Sequence, residues 1–206
     1  MNKQQKDVLL GMILGDAFLQ KTGERNARIR LEHSEKQLDY LKWKADFFPE
    51  FFQGAPKHLV RFNPHYGKTY KYVRWQSNAS PQIGKWQKIF YREGKKIIPS
   101  ELPLIFKSAF SLAVWFMDDG YFYERDRDAF IYLFKCGQRE ESLLLETFEA
   151  NFGLRPKLKR KKGENAVLVF SVSETKKLHD LISPFIAPSM RYKIGERLLD
   201  PVSTEV

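Results

Sequence analysis

A chain of 206 residues with 43% hydrophobic content is long enough for one large core, or for two units of about 100 residues each. Its net charge of +10 points to a polyanionic partner, most simply nucleic acid, because a phosphate backbone rewards clustered Lys and Arg through counterion release. One cysteine, Cys136, excludes an internal disulfide framework and fits a reducing, intracellular compartment rather than secretion, and no run reaches the roughly 18 apolar residues a spanning helix needs.

In chain order, residues 3–17 read as a helix with Val8, Leu9, Met12 and Ile13 on an apolar face. The apolar run is too short, and too closely bracketed by Asp7 and Asp16, for a signal peptide. Gly11 and Gly15, four apart, share a face; each costs roughly 1 kcal/mol against alanine and permits close approach of a second helix, expected at 108–119. Residues 18–21 and 27–33 read as a hairpin in which Arg28, Arg30 and Glu32 alternate with Ile29, Leu31 and His33. Ser34 with Gln37 then predicts a capping box opening a helix that Pro49 ends.

Residues 51–92 hold no acid and eight cations: Lys57, Arg61, Lys68, Lys71, Arg74, Lys85, Lys88 and Arg92. Within them, 58–63 and 69–76 predict a second hairpin with interleaved aromatics, and Ser80-Pro81 predicts a helix start. After the breaker-rich stretch 94–99 and a linker at 101–107 the pattern restarts: helix 108–119, strands at 121–123 and 129–137, a helix 139–152 stopped by Gly153, strands at 155–161 and 166–172, and a last helix opened by Ser173. Each half, 1–100 and 101–206, therefore reads helix, hairpin, helix, hairpin, helix, an α+β pattern repeated.

The repeat carries the chemistry. Leu9-Leu10-Gly11-Met12-Ile13-Leu14-Gly15-Asp16-Ala17 and Leu112-Ala113-Val114-Trp115-Phe116-Met117-Asp118-Asp119-Gly120 are apolar helical runs ending in a carboxylate and a small residue, with Asp16 and Asp119 103 positions apart. One such helix is ordinarily a core helix with a polar end. Two at equivalent places suggest a pair of carboxylates sharing a hard cation such as Mg²⁺, which takes oxygen ligands. Divalent ions so held supply what phosphodiester hydrolysis needs: an activated water and neutralised phosphate charge. Lys96 and Lys193 lie 80 and 74 residues after their acids, each in an irregular stretch after its half's last helix, where a lysine can orient water or neutralise developing charge. Arg155, Lys157, Lys159 and Lys161 recur at period two and share one strand face. Such a ribbon fits the DNA major groove, with most contacts to phosphate. The charge-balanced loop 124–128 is expected to contribute less affinity. The four histidines show no metal-ligand spacing with Cys136, which argues against zinc.

The two runs, with Lys95-Lys96-Ile97-Ile98-Pro99 and Pro188-Ser189-Met190-Arg191-Tyr192-Lys193, resemble the paired motif of LAGLIDADG homing endonucleases, in the single-chain, intron-encoded form, over about residues 8–194. The resemblance implies two pseudo-symmetric αββαββα halves, motif helices packed at the interface, and saddle-shaped antiparallel sheets over a long asymmetric DNA site. It implies a monomeric, divalent-metal-dependent (Mg²⁺ or Mn²⁺) double-strand DNA endonuclease. Asp16 and Asp119 would be metal ligands, Gly15 and Asp118 would offer backbone carbonyls, and Lys96 and Lys193 fall where the family places active-site basic residues. Lys21, Arg28, Arg30, Lys57, Arg61, Lys68, Lys71, Arg74, Lys135, Arg155, Lys157, Lys159 and Lys161 are the expected DNA contacts. Val114 replaces the motif's first glycine in the second copy, so closer and more symmetric packing is not expected there, and Gly15 opposite Asp118 also breaks the symmetry. The alternatives are an intron maturase acting on RNA with the same scaffold, and a DNA-binding regulator with a dead centre; the two intact acids weigh against the latter.

Overall fold

Two apolar helices set the architecture. α1 (Lys3–Leu14) buries Val8 through Leu14, and α5 (Ala109–Asp119) buries Phe110 through Met117. Helices apolar on all sides belong in the interior, and in the computed structural model, which describes residues 1–160 and 165–196, they pack against each other at the centre. At the crossing the close approach needs a glycine on α1 only, not one on each helix. A Cβ on Gly11 would sit 2.4 Å from the Ser111 carbonyl and 2.6 Å from Val114 Cβ, so Val114 occupies the room Gly11 leaves. The Ser111 hydroxyl donates across the same seam to the Asp7 carbonyl at 2.7 Å.

A four-stranded antiparallel sheet leaves the end of each central helix. After α1 come β1 (Phe18–Lys21), β2 (Ala27–Ser34), α2 (Leu38–Asp46), β3 (Lys57–Asn63), β4 (Lys68–Gln76) and α3 (Pro81–Phe90), with sheet order β1-β2-β4-β3. A two-residue ribbon, β5 (Tyr91–Arg92) with β6 (Lys95–Lys96), and the short α4 (Leu102–Ile105) lead into α5. The order then repeats as β7 (Gly120–Tyr123), β8 (Asp128–Tyr132), α6 (Gln138–Phe152), β9 (Lys157–Lys159), β10 (Val167–Phe170) and α7 (Val172–Ile182), with sheet order β7-β8-β10-β9. The fold is α+β, with antiparallel sheets and the motif helices face to face. One contiguous core runs through both halves, from Val8 and Phe48 to Phe148 and Ile194.

Several local expectations are corrected. The first helix ends at Leu14 with Gly15 as its cap, so Asp16 stands past the helix whereas Asp119 is the last residue of α5. Ser34 makes no capping bond: it is held in the ladder opposite Tyr72, and a 3₁₀ turn, Glu35–Gln37, intervenes before α2. The expected linker contains α4, whose end is held by Asn151 Nδ2, donating to the Pro103 and Phe106 carbonyls at 2.9 and 2.8 Å. β8 stops at Tyr132, five residues short of the expected 137. β9 and β10 are likewise shorter than their period-two patterns. α7 starts after Ser171, two residues before Ser173. Ser80, by contrast, caps α3 as its sequence predicts, accepting from the Gln82 N–H. Gly153 closes α6 in the left-handed region at φ 63°.

Candidate active site and nucleic-acid face

The chain leaves α1 and α5 at adjacent points, which brings the two motif ends together. A Cβ on Gly15 would meet Asp118 Oδ2 at 2.5 Å, and the Asp16 N–H donates to that same oxygen at 3.1 Å. The Asp16 side chain, 46% exposed, reaches solvent. Burial of its surroundings, then the Asp118 charge, raise its pKa, while Lys44, Lys96 and Lys193 pull it down. Burial, then Asp16, then Asp118 push the Asp119 carboxyl up to about 7. Asp119 thus feels Asp16 across the interface, and it holds its proton to near neutrality.

The two lysines close on this pair. Lys96 Nζ donates to the Gly15 carbonyl at 2.7 Å, and Lys193 Nζ donates to the Gly120 carbonyl at 2.7 Å. Burial lowers the pKa of each against the opposing pull of Asp16, Asp118 and Asp119. The arrangement is only approximately symmetric: Lys96 engages the carbonyl before its acid, Lys193 the carbonyl after. The carboxylate of Asp118 is turned inward, fully buried, and ion-paired with Lys44 Nζ at 2.8 Å.

Lys44 and His33 are site residues that sequence reasoning did not single out. Lys44 lies on the buried face of α2 with Tyr40, Leu41 and Ala45, and His33 on the core face of β2 after Ile29 and Leu31. A lone cation on a packing stripe was the available signal. His33 Nε2 lies 2.6 Å from Lys44 Nζ, and its Nδ1 lies 3.8 Å from Asp16 Oδ2. Burial, then Lys44, drive the imidazole pKa down to about 3, so it stays neutral. Among the described residues, Asp16, His33 and Asp118 are a group whose ligand atoms lie within 4.8 Å of one another.

The sheets spread from these acids, β1 beginning at Phe18 and β7 at Gly120. The registers Phe18↔Arg30, Gln20↔Arg28, Glu32↔Arg74, Lys57↔Arg74 and Arg61↔Tyr70 place Arg28, Arg30, Arg74, Lys57 and Arg61 on one polar face with Tyr70 and Tyr72. Glu32 holds Arg61 and Arg74 at 2.7 and 2.6 Å and orders the face. Lys71, opposite Val60, points to the other face, because alternation reverses at every residue. Lys21 and Lys68 stand exposed at strand ends. In the second sheet Lys157 and Lys159 share a face with Val167, Val169 and Phe130. Lys135 is exposed beyond β8. Arg155 precedes β9 and is bound to Glu149 of α6 at 2.8 Å. Lys161 lies outside the described residues.

Comparison with known proteins agrees with this geometry. The profile of the LAGLIDADG DNA endonuclease family matches residues 6–178. The protein RecA of Mycolicibacterium flavescens is 30% identical over 214 residues, covering 96% of this chain and 48% of that protein, so the chain spans about half the length of curated relatives of this kind. The probable intron-encoded endonuclease 1 of Wickerhamomyces canadensis is 27% identical over 202 residues, covering 94% of this chain and 85% of that protein. The structure of the homing endonuclease I-WcaI bound to its DNA recognition sequence superposes with a TM-score of 0.86 at 26% identity, over 94% of this chain and 86% of that one.

Proposed function

This chain belongs to the LAGLIDADG DNA endonuclease family, and from that premise we propose that it is a homing endonuclease that cuts both strands of a long, asymmetric DNA site with a divalent cation. The observation that carries the reading is the convergence of the two motif ends, where the Asp16 N–H bonds the carboxylate of Asp118, the residue before Asp119, and where Lys96 and Lys193 bond the Gly15 and Gly120 carbonyls. The likeness to I-WcaI, solved on its DNA recognition sequence, supports duplex DNA as the partner. The division of the chain at residue 100 into two αββαββα units, a monomeric state and an intracellular location are parts of the same proposal; no helix among the described residues is long and apolar enough to cross a membrane.

The donor set suits a hard cation. Burial, then the charges of Asp16 and Asp118, push the Asp119 carboxyl up to about 7, and a bound Mg²⁺ or Mn²⁺ would offset that cost and let both acids ionise. Asp16 and Asp119 would hold the ion, with the backbone carbonyls of Gly15 and Asp118 as further oxygens. When bound, such an ion neutralises phosphate charge and lowers the pKa of water. The chain's own part is to hold the acids in register through the α1–α5 seam, and to keep Lys96 and Lys193 beside them as positive charge for the oxyanion that develops on the phosphate. Arg28, Arg30, Lys57, Arg61, Arg74, Lys157 and Lys159 would lie along the duplex, positioned mainly by phosphate.

An RNA-splicing role on the same scaffold is the second reading. It is favoured by 23% identity over 200 residues to the cytochrome b mRNA maturase bI2 of Debaryomyces hansenii. The test uses purified protein, Mg²⁺ and the uninterrupted allele of the gene that hosts this reading frame. A single metal-dependent double-strand cut near the insertion point is expected, with Asp16→Asn or Asp119→Asn abolishing cleavage and retaining DNA binding. Cleavage at the normal rate by either variant overturns the metal assignment. Binding to the intron RNA with none to DNA moves the function to the maturase.

A further inference from the structure

Lys44 poses a problem that the cleavage chemistry does not address. Its amine is 0% exposed, donates to Asp118 Oδ1 at 2.8 Å, and lies 2.6 Å from His33 Nε2 and 4.4 Å from the centre of the Tyr40 ring. A buried ion pair is a poor source of stability, since apolar residues of the same volume are often as good or better. Its placement is more informative than its energy. From this one amine, two arms converge on Asp16. Through Asp118, the second carboxylate oxygen takes the Asp16 N–H at 3.1 Å. Through His33, Nδ1 comes to 3.8 Å from Asp16 Oδ2.

Among the described residues, neither arm is repeated at Asp119. The position equivalent to Asp118 in the first motif is Gly15, which has no side chain to offer. By register, with Leu19↔Ile29 matching Phe122↔Ala129, the place four residues on that His33 takes in the first half is taken by Leu133 in the second. Leu133 is buried and apolar.

We propose that Lys44 is a positioning residue that acts through Asp118 and His33 to fix Asp16 alone, so that the two acids are inequivalent and the two DNA strands are cut at different rates. This rests on the nuclease reading above. In it, Asp118 serves through its side chain as a brace between the halves, and His33 orients the Asp16 carboxylate from the protein side.

The test follows each strand separately, using the full chain, Mg²⁺ and an end-labelled duplex of the uninterrupted host allele. Wild-type protein should accumulate a duplex nicked preferentially in one strand. Lys44→Met with Asp118→Leu removes both charges while nearly keeping shape and volume, and should melt cooperatively close to wild type. It should nevertheless shift the ratio of the two nicking rates by about tenfold or more, as expected when a reacting group loses its positioning. His33→Leu, which gives the first half the residue of the second and leaves the ion pair intact, should also shift the ratio.

A double variant that melts like wild type and nicks both strands in the wild-type ratio would make the pair purely structural and overturn the proposal. If the double variant fails to fold, His33→Leu decides: an unchanged ratio overturns the proposal. A wild-type protein that nicks neither strand overturns the nuclease reading itself, and this inference with it.

Discussion

At the scale of single residues, environment rather than identity decides what each group can do. Cys136 is the chain's one thiol, and burial, then Glu141, then Glu140 push its pKa up to about 11. Because the thiolate is the nucleophile, and the gain in intrinsic nucleophilicity only partly offsets its scarcity, alkylation by iodoacetamide at pH 8 should run at least about tenfold slower than for a free thiol. A rate equal to that of a small thiol would show the site to be open. Asp118 and Asp119 are adjacent in sequence yet differ in the same way. Lys44, then His33, hold Asp118 below the ordinary carboxylate range despite its burial, while Asp119, buried and then crowded by Asp16 and Asp118, rises to about 7. Asp16, Asp119, Lys96 and Lys193 were legible as candidates because the repeat marks them twice. Lys44 and His33 were not, because their meaning lies in a contact with Asp118, 74 positions beyond Lys44.

At the scale of elements, a strand's alternation and a helix's close approach are readable, but their ends are not. The period-two pattern put Lys157 and Lys159 on one face, and the ladder to Val169 and Val167 keeps them there. Replacing both with alanine should reduce the slope of log K against log salt by roughly two, if each meets one phosphate. An unchanged slope would take this face off the DNA. Alternation along β4 already turns Lys71 away from Arg74, three residues on, but pattern alone did not show that Arg61 of β3 shares the face of Arg74, since that follows from the pairings Lys57↔Arg74 and Arg61↔Tyr70. Nor did it show that Ser34 is committed to the ladder opposite Tyr72 instead of capping α2. The glycine spacing in α1 correctly implied close packing, and the structure supplies the partner atoms. Gly15→Ala would place a methyl 2.5 Å from Asp118 Oδ2 and 2.6 Å from Asp118 Cβ. Such overpacking should cost about 1–3 kcal/mol, measurable as a melting temperature lower by several degrees. A melting temperature equal to wild type would mean that Asp118 moves aside freely.

At the scale of the whole molecule, the repeat builds one core. The apolar cluster passes from Val8 through α1 and α5 to Phe148 and Ile194 without a break, so neither half encloses its central helix alone. Unfolding should therefore be a single transition, with tryptophan fluorescence, which reports mainly on Trp43, Trp75 and Trp86 of the first half, coincident with far-UV circular dichroism, which reports on both. Two separated transitions would show the halves to be independent. What the sequence determined by itself was the class of the fold, the duplication, the polyanion-seeking charge and the two acids with their trailing lysines. Each of these is written in local pattern, in composition or in repetition at a fixed offset. Only the tertiary structure decided which cations line one face, that Val114 fills the space above Gly11, and that a buried lysine of the first half braces an acid of the second against Asp16. These are pairings between distant segments, set by how two surfaces fit, and no local pattern encodes the fit.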